Sequence, residues 1–157
     1  MNQQPISTQE ARQRNRQLGI RVQLDRSVSD LAEDDIGSLL DLLAHHGVLC
    51  IAKQSPIAPR QLHDFCRRWG EVVELPSGLA LANQEPGLPS ITRVGNIRPD
   101  GSIIPGVRFA EYWHHDGDFW QPGQNFIVNF LSAVQIAPVG GRTGILDSRL
   151  GYEMLSD

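Results

Sequence analysis

The sequence predicts an α+β protein, or a β-sandwich with helices beside it, on three observations. Two amphipathic helical stripes lie in its N-terminal half. Several apolar or aromatic runs too short for helices fill the remainder, and a Pro- and Gly-rich stretch separates the two textures. Two helices beside mainly strand-forming segments give that class. The 157 residues suit one domain.

The elements follow in chain order. Residues 1–17 read as a polar, solvated leader of weak helical character. Leu18 to Leu24 reads as a first strand, because Ile20, Val22 and Leu24 alternate with polar residues. Across Ala32–His46, Ile36, Leu39, Leu40 and Leu43 recur at helical spacing, and Leu42 widens the stripe. Glu33, Asp34 and Asp35 favour the positive end of that helix, and Gly47 stops it. Val48–Ala52 is continuously apolar, the mark of a strand buried on both faces. Pro59 suits a first helical turn, and Leu62, Phe65, Cys66 and Trp69 form a second stripe ended by Gly70.

Between Leu75 and Val107 the pattern predicts loops, broken by a strand at Ser90–Gly95 and a turn at Arg98-Pro99-Asp100-Gly101. Loops of this length usually bind or cover something. Strands are predicted again at Tyr112–Trp120, Asn125–Gln135 and Arg142–Leu146, with a turn at Pro138-Val139-Gly140-Gly141. Asp147 then caps a final helix through Leu155.

Composition narrows the function classes. Hydrophobic residues at 40% and charged residues at 20% describe a globular chain rather than a disordered one. The net charge of −4 argues against a nucleic-acid partner. No apolar run approaches the ~20 residues of a membrane span, and the leader lacks the apolar core of a secretory signal, so a cytoplasmic location without a membrane partner is expected. Cys50 and Cys66 sit among apolar residues, without a disulfide framework or zinc spacing, and read as buried free thiols.

The informative stretch is Tyr112-Trp113-His114-His115-Asp116-Gly117-Asp118-Phe119-Trp120. On a strand, His114 and Asp116 share a face and His115 points away. An imidazole and a carboxylate so placed can hold one cation from one side and leave other coordination positions open. That is two-thirds of the two-His, one-carboxylate facial arrangement. A His-x-Asp triplet alone is common by chance, so its surroundings decide.

Those surroundings resemble the Trp-His-x-Asp-x-x-Phe signature of the Fe(II)/2-oxoglutarate-dependent dioxygenases of the taurine and dichlorophenoxyacetate dioxygenase type. Trp113, His114, Asp116 and Phe119 match it position by position. Ala137–Thr143 is similar to the family's Pro-x-Gly-Gly-x-Thr segment, and Tyr152-Glu153-Met154-Leu155 to the helix after it. His46–Ile51 and Phe65–Glu71 resemble its N-terminal helix–strand–helix.

The resemblance implies a double-stranded β-helix (jelly-roll) with flanking N-terminal helices, here incomplete, spanning residues 18–157. It implies Fe(II) held by His114 and Asp116. The co-substrate 2-oxoglutarate would be bonded through its distal carboxylate by Thr143, whose hydroxyl donates without adding charge. A small organic substrate and dioxygen are the implied reactants, with succinate and CO2 released. With a carboxylate at position 116, hydroxylation or a related oxidation is favoured over halogenation.

Other residues carry weaker expectations. Asn129, on one face of an apolar strand, reads as a buried amide that contacts the cofactor or satisfies a loop. Asn96 is a candidate substrate-pocket residue. His115 reads as a packed or solvent-facing imidazole with a substrate contact as the alternative. Asp118 is an alternative ligand to Asp116. His45 and His46 suit a helix C-terminus, and His63 a solvated helix face. Arg93 and Arg108 read as exposed, with an anionic substrate as the alternative.

The family's second iron-binding His and its 2-oxoglutarate-binding Arg have no counterpart before Asp157. The chain therefore resembles the first half to three-fifths of the family domain. It is expected to be inactive alone unless a second chain supplies the remaining strands; a homo-oligomer is a separate expectation. A non-catalytic jelly-roll binding module or truncated paralogue is the alternative. A hydrolase using the His–Asp pair on another metal fits less well, since such pairs sit on helices.

Overall fold

A computed structural model describes residues 2–5 as backbone, and residues 18–74, 84–98, 100–104, 112–117 and 128–155 in full. The protein is α+β. Its contacts divide it into two compact units, Met1–Ile57 with Ser132–Asp157, and Ala58–Leu131.

In the first unit, β1 (Asn2–Pro5), β2 (Ile20–Gln23) and β3 (Leu49–Ala52) form a three-stranded sheet in the order β1-β2-β3. β1 runs antiparallel to β2, with Pro5 opposite Ile20. Part of the polar leader is thus extended and paired rather than helical. β2 and β3 are parallel, Ile20 opposite Leu49 and Val22 opposite Ile51. Parallel neighbours need a crossover, and α1 (Glu33–His46) supplies it. The predicted alternation is realised, with Ile20 and Val22 buried and Arg21 and Gln23 exposed.

Helix α1 starts where the acidic run predicts. Asp35 Oδ2 accepts a hydrogen bond from the Ala32 amide at 2.9 Å, satisfying one of the orphan donors of the first turn. Gly47 ends it at φ 70°, its amide donating to the Leu43 carbonyl at 2.7 Å. Ile36 and Leu39 bury fully, and with Ile20, Val22, Val28, Leu31 and Ala52 they form this unit's core. Leu39 and Val22 each contribute roughly 1.5–3 kcal/mol by leaving water. Leu40, counted in the apolar stripe, is exposed. Gln54 closes the β3 exit, accepting from the Val28 amide at 3.0 Å and donating to the Arg26 carbonyl at 3.2 Å. Helix α3 (Ser148–Glu153) follows Asp147, whose carboxylate accepts from the Arg149 amide.

Strand β3 departs from the expectation of burial on both faces. Ala52 is buried, Leu49 and Ile51 are half-buried, and Cys50 is exposed. Its register shows why for Cys50, which lies opposite the exposed Arg21. The reading of Cys50 as a buried thiol is thereby corrected. Cys66 is half-buried.

The second unit is built on α2 (Pro59–Arg67), with Pro59 in its first turn and the Gln61 side-chain Oε1 accepting from the Ala58 amide at 2.9 Å. It packs against a hairpin of β4 (Gln84–Glu85) and β5 (Leu88–Thr92). Pro86 and Gly87 turn the hairpin; Gly87 sits at φ 73°, as the third position of a type II turn requires. The strand expected at Ser90–Gly95 therefore begins and ends earlier. His63 is half-buried, its Nδ1 3.0 Å from Ser90 Oγ, so it faces β5 and not solvent. Ile97 and Ile103 form an isolated bridge around the predicted turn, with the Gly101 amide donating to the Arg98 carbonyl at 2.9 Å.

Candidate metal centre

Three strands were expected to carry the site. Among the described residues, Tyr112–Gly117, Val128–Gln135 and Arg142–Leu146 pair with no ladder. An extended run becomes a strand only through a neighbour's backbone groups. Asp118–Trp120 and Asn125–Ile127, parts of the predicted strands, lie outside the described residues, as does Arg108.

His114 and Asp116 nevertheless converge. His114 Nε2 stands 3.2 Å from Asp116 Oδ1, each side chain about half exposed, at 51% and 53%. The pleat is not the cause. The chain turns at Asp116-Gly117, with Gly117 at φ 91°, and the ring is fixed from behind. Its Nδ1 lies 2.8 Å from the Tyr112 carbonyl oxygen. A carbonyl only accepts, so Nδ1 carries a proton, and in the neutral form of the ring Nε2 then bears the lone pair. Two lone-pair-bearing atoms 3.2 Å apart can be joined only by a cation, whether a proton or a metal ion.

The donor set fits a first-row divalent ion: one imidazole nitrogen and one carboxylate oxygen. Two donors each about 2.1 Å from one ion and at right angles to it stand about 3.0 Å apart, close to the spacing found. Among the described residues no group of three or more His, Cys, Asp or Glu side chains converges.

Asn129 was read as buried; it is exposed, and its side-chain amide donates to Asp116 Oδ2 at 2.6 Å. This partner was not foreseen. The only signal for it was a lone amide in an apolar run. The alternation around it holds without a ladder, since Val128 and Phe130 are half-buried and Asn129 and Leu131 exposed. Phe130 packs edge-on against Trp69 and Phe65, with ring centroids 5.2 and 5.8 Å away. The backbone beside Asn129 is thus held to α2.

His115 is exposed, as is Asn96, whose carbonyl accepts from the Ile104 amide at 2.7 Å. Arg93 bonds Glu85 at 2.6 Å within the hairpin. Thr143 is exposed and belongs to the other unit, just after Gly140 and Gly141 at φ 78° and 65°. Two successive left-handed residues are where only glycine is unstrained.

Comparison with known proteins decides the family. Residues 7–157 match the model of the taurine catabolism dioxygenase TauD, TfdA family. The chain belongs to the TauD/TfdA family. Two curated relatives are both alpha-ketoglutarate-dependent 2,4-dichlorophenoxyacetate dioxygenases. One, from Cupriavidus pinatubonensis, is 27% identical over 135 residues, 80% of this chain and 45% of the relative. The other, from a Burkholderia species, is 26% identical over 117 residues, 68% of this chain and 38% of the relative. The chain thus spans under half the length of these TauD/TfdA relatives. No solved structure matches it significantly. The family's enzymes are dioxygenases that use Fe(II) and 2-oxoglutarate, and no helix among the described residues is long and apolar enough to cross a membrane.

Proposed function

We propose that this chain carries two ligands of a non-haem Fe(II)/2-oxoglutarate oxygenase that oxidises a small organic substrate, with His114 and Asp116 on the iron. The reading rests on one observation: an imidazole Nε2, its other nitrogen tied to the Tyr112 carbonyl, faces a carboxylate oxygen at 3.2 Å. When bound, the ferrous ion and 2-oxoglutarate supply the oxidising chemistry, coupling dioxygen to attack on a substrate C–H and releasing succinate and CO2.

The chain's own residues position and exclude. With Nδ1 donating to the Tyr112 carbonyl, Nε2 is the His114 nitrogen that would meet the iron. Thr143 donates to the distal carboxylate of the co-substrate. Asn96 and His115 contribute to the substrate side. The fold proposed is an incomplete double-stranded β-helix with flanking N-terminal helices over residues 18–157, which the alternation of half-buried and exposed residues at 128–131 supports.

Anaerobic addition of Fe(II) and 2-oxoglutarate tests the assignment through the weak visible charge-transfer band of the chelated complex. The band is expected with the parent protein and lost on joint His114→Ala and Asp116→Ala substitution. Its persistence in the double variant overturns the ligands; its absence from the parent favours a non-catalytic binding module.

A further inference from the structure

We infer that Asn129 is a positioning residue that makes Asp116 a one-oxygen ligand, by holding Oδ2 so that only Oδ1 is turned to the metal. The inference rests on the reading of His114 and Asp116 as metal ligands. Its geometry does not. The two carboxylate oxygens have different partners: Oδ1 faces His114 Nε2 at 3.2 Å, while Oδ2 accepts the Asn129 amide at 2.6 Å.

A free carboxylate can close on a metal with both oxygens, which uses two coordination positions. A short bond to a fixed amide donor takes one of the second oxygen's lone pairs and draws that oxygen toward the amide, which disfavours that closure. In a site that must keep positions open for a chelating co-substrate and for dioxygen, the saved position matters.

The amide can act this way only if it is fixed itself. The thirteen-residue separation in sequence leaves that to tertiary contacts. They are present one residue away, where Phe130 is held by Trp69 and Phe65, whose own centroids lie 5.7 Å apart. Phe65 of helix α2 and Trp69 just after it thereby hold the backbone beside Asn129, all within one unit. Asn129 thus acts through Asp116 and not on the co-substrate. The Tyr112 carbonyl does for the imidazole what Asn129 does for the carboxylate: each ligand has one atom tied down and one presented.

The test uses the full chain and Co(II) alone. Binding is followed by titration, and the coordination mode of Asp116 by difference infrared spectroscopy with carboxyl-labelled aspartate, comparing the antisymmetric and symmetric carboxylate stretches. Four proteins are compared: parent, Asn129→Ala, Asn129→Ser and Asp116→Ala.

The parent should show the wide splitting of a one-oxygen ligand. Asn129→Ala should narrow it and lower Co(II) affinity by roughly ten- to a hundred-fold. Asn129→Ser, which restores a donor, should recover part of both. Parent-like splitting and affinity in Asn129→Ala, with binding lost in Asp116→Ala, overturns the positioning role and leaves the metal site standing. Parent-like binding in Asp116→Ala overturns the metal site and the inference with it. Because the splitting reports only how the carboxylate meets the ion, general loosening of the fold does not reproduce the expected change.

Discussion

The ring of Phe130 stands edge-on to Trp69, centroids 5.2 Å apart and planes inclined by 78°. The contact matters beyond its area because the Trp69 indole Nε1 is buried and has no hydrogen-bond partner among the described residues. Phe130 is one of the rings around that indole.

Phe130→Ala should therefore redden the emission of Trp69 in a background where Trp113 and Trp120 are Phe, as water reaches Nε1. The stability loss should be about 2 kcal/mol, less than for a fully buried Phe, because hydrating the indole N–H returns part of the lost packing. Urea denaturation measures it. Unchanged emission would show that Phe130 does not shield the ring.

The two thiols should react very differently. Burial pushes the Cys66 thiol up to about 11, whereas Cys50 is exposed on the outer face of β3. At pH 8 only about one Cys66 in a thousand is thiolate, the species that reacts. Iodoacetamide at pH 8 should label Cys50 first and leave Cys66 largely unmodified until denaturant is added, which peptide mapping resolves. Equal labelling in the folded protein would contradict the burial of Cys66.

Much of this was legible in the sequence wherever the cause is local. Ile36, Leu39 and Leu43 at helical spacing, with Gly47 after them, located α1. Alternation located β2, and Asp147 the last cap. Tertiary causes were not legible. The apolar run of β3 does not reveal that Cys50 lies opposite Arg21 on an exposed face. Gln84 and Glu85 have no strand-like pattern and are paired by the Pro86-Gly87 turn. At the site, the period-two spacing of His114 and Asp116 foretold their convergence, though a turn delivers it. The Asn129 bond to Asp116 crosses thirteen residues and left no trace in local pattern.

Two glycines of one helix should respond oppositely to alanine. Gly47 sits at φ 70°, and a Cβ there would meet Arg149 Nη2 at 3.4 Å and Leu18 Cδ1 at 3.5 Å, ordinary contacts. The cost of Gly47→Ala is thus that of the left-handed backbone, about 1–2 kcal/mol. Gly37, inside α1, has nothing within 4 Å of its would-be Cβ. Gly37→Ala should stabilise by roughly 0.5–1 kcal/mol by restricting the unfolded chain and favouring helix. Urea midpoints moving in opposite directions would bear this out; a shared direction would refute the cap geometry.

The third helix should depend on acid in a way fixed by one carboxylate. Asp147 accepts from the Arg149 amide at 3.0 Å and from Arg149 Nε at 3.1 Å. The Arg149 side-chain bond, more than any other contact, holds its pKa below the ordinary carboxylate value. A depressed folded pKa means that the stabilisation is present above the unfolded value, near 4, and is lost as pH falls through the lower folded value. Arg149 is itself mostly exposed, so the ion pair adds little and the cap dominates. Asp147→Ala should cost about 1 kcal/mol at pH 7. The gap between variant and parent should hold down to pH 4 and close in stronger acid. Hydrogen exchange at the Leu150 and Gly151 amides, followed across that range, reads the helix directly; a gap independent of pH down to pH 1 would mean that the Asp147 carboxylate is not the cap.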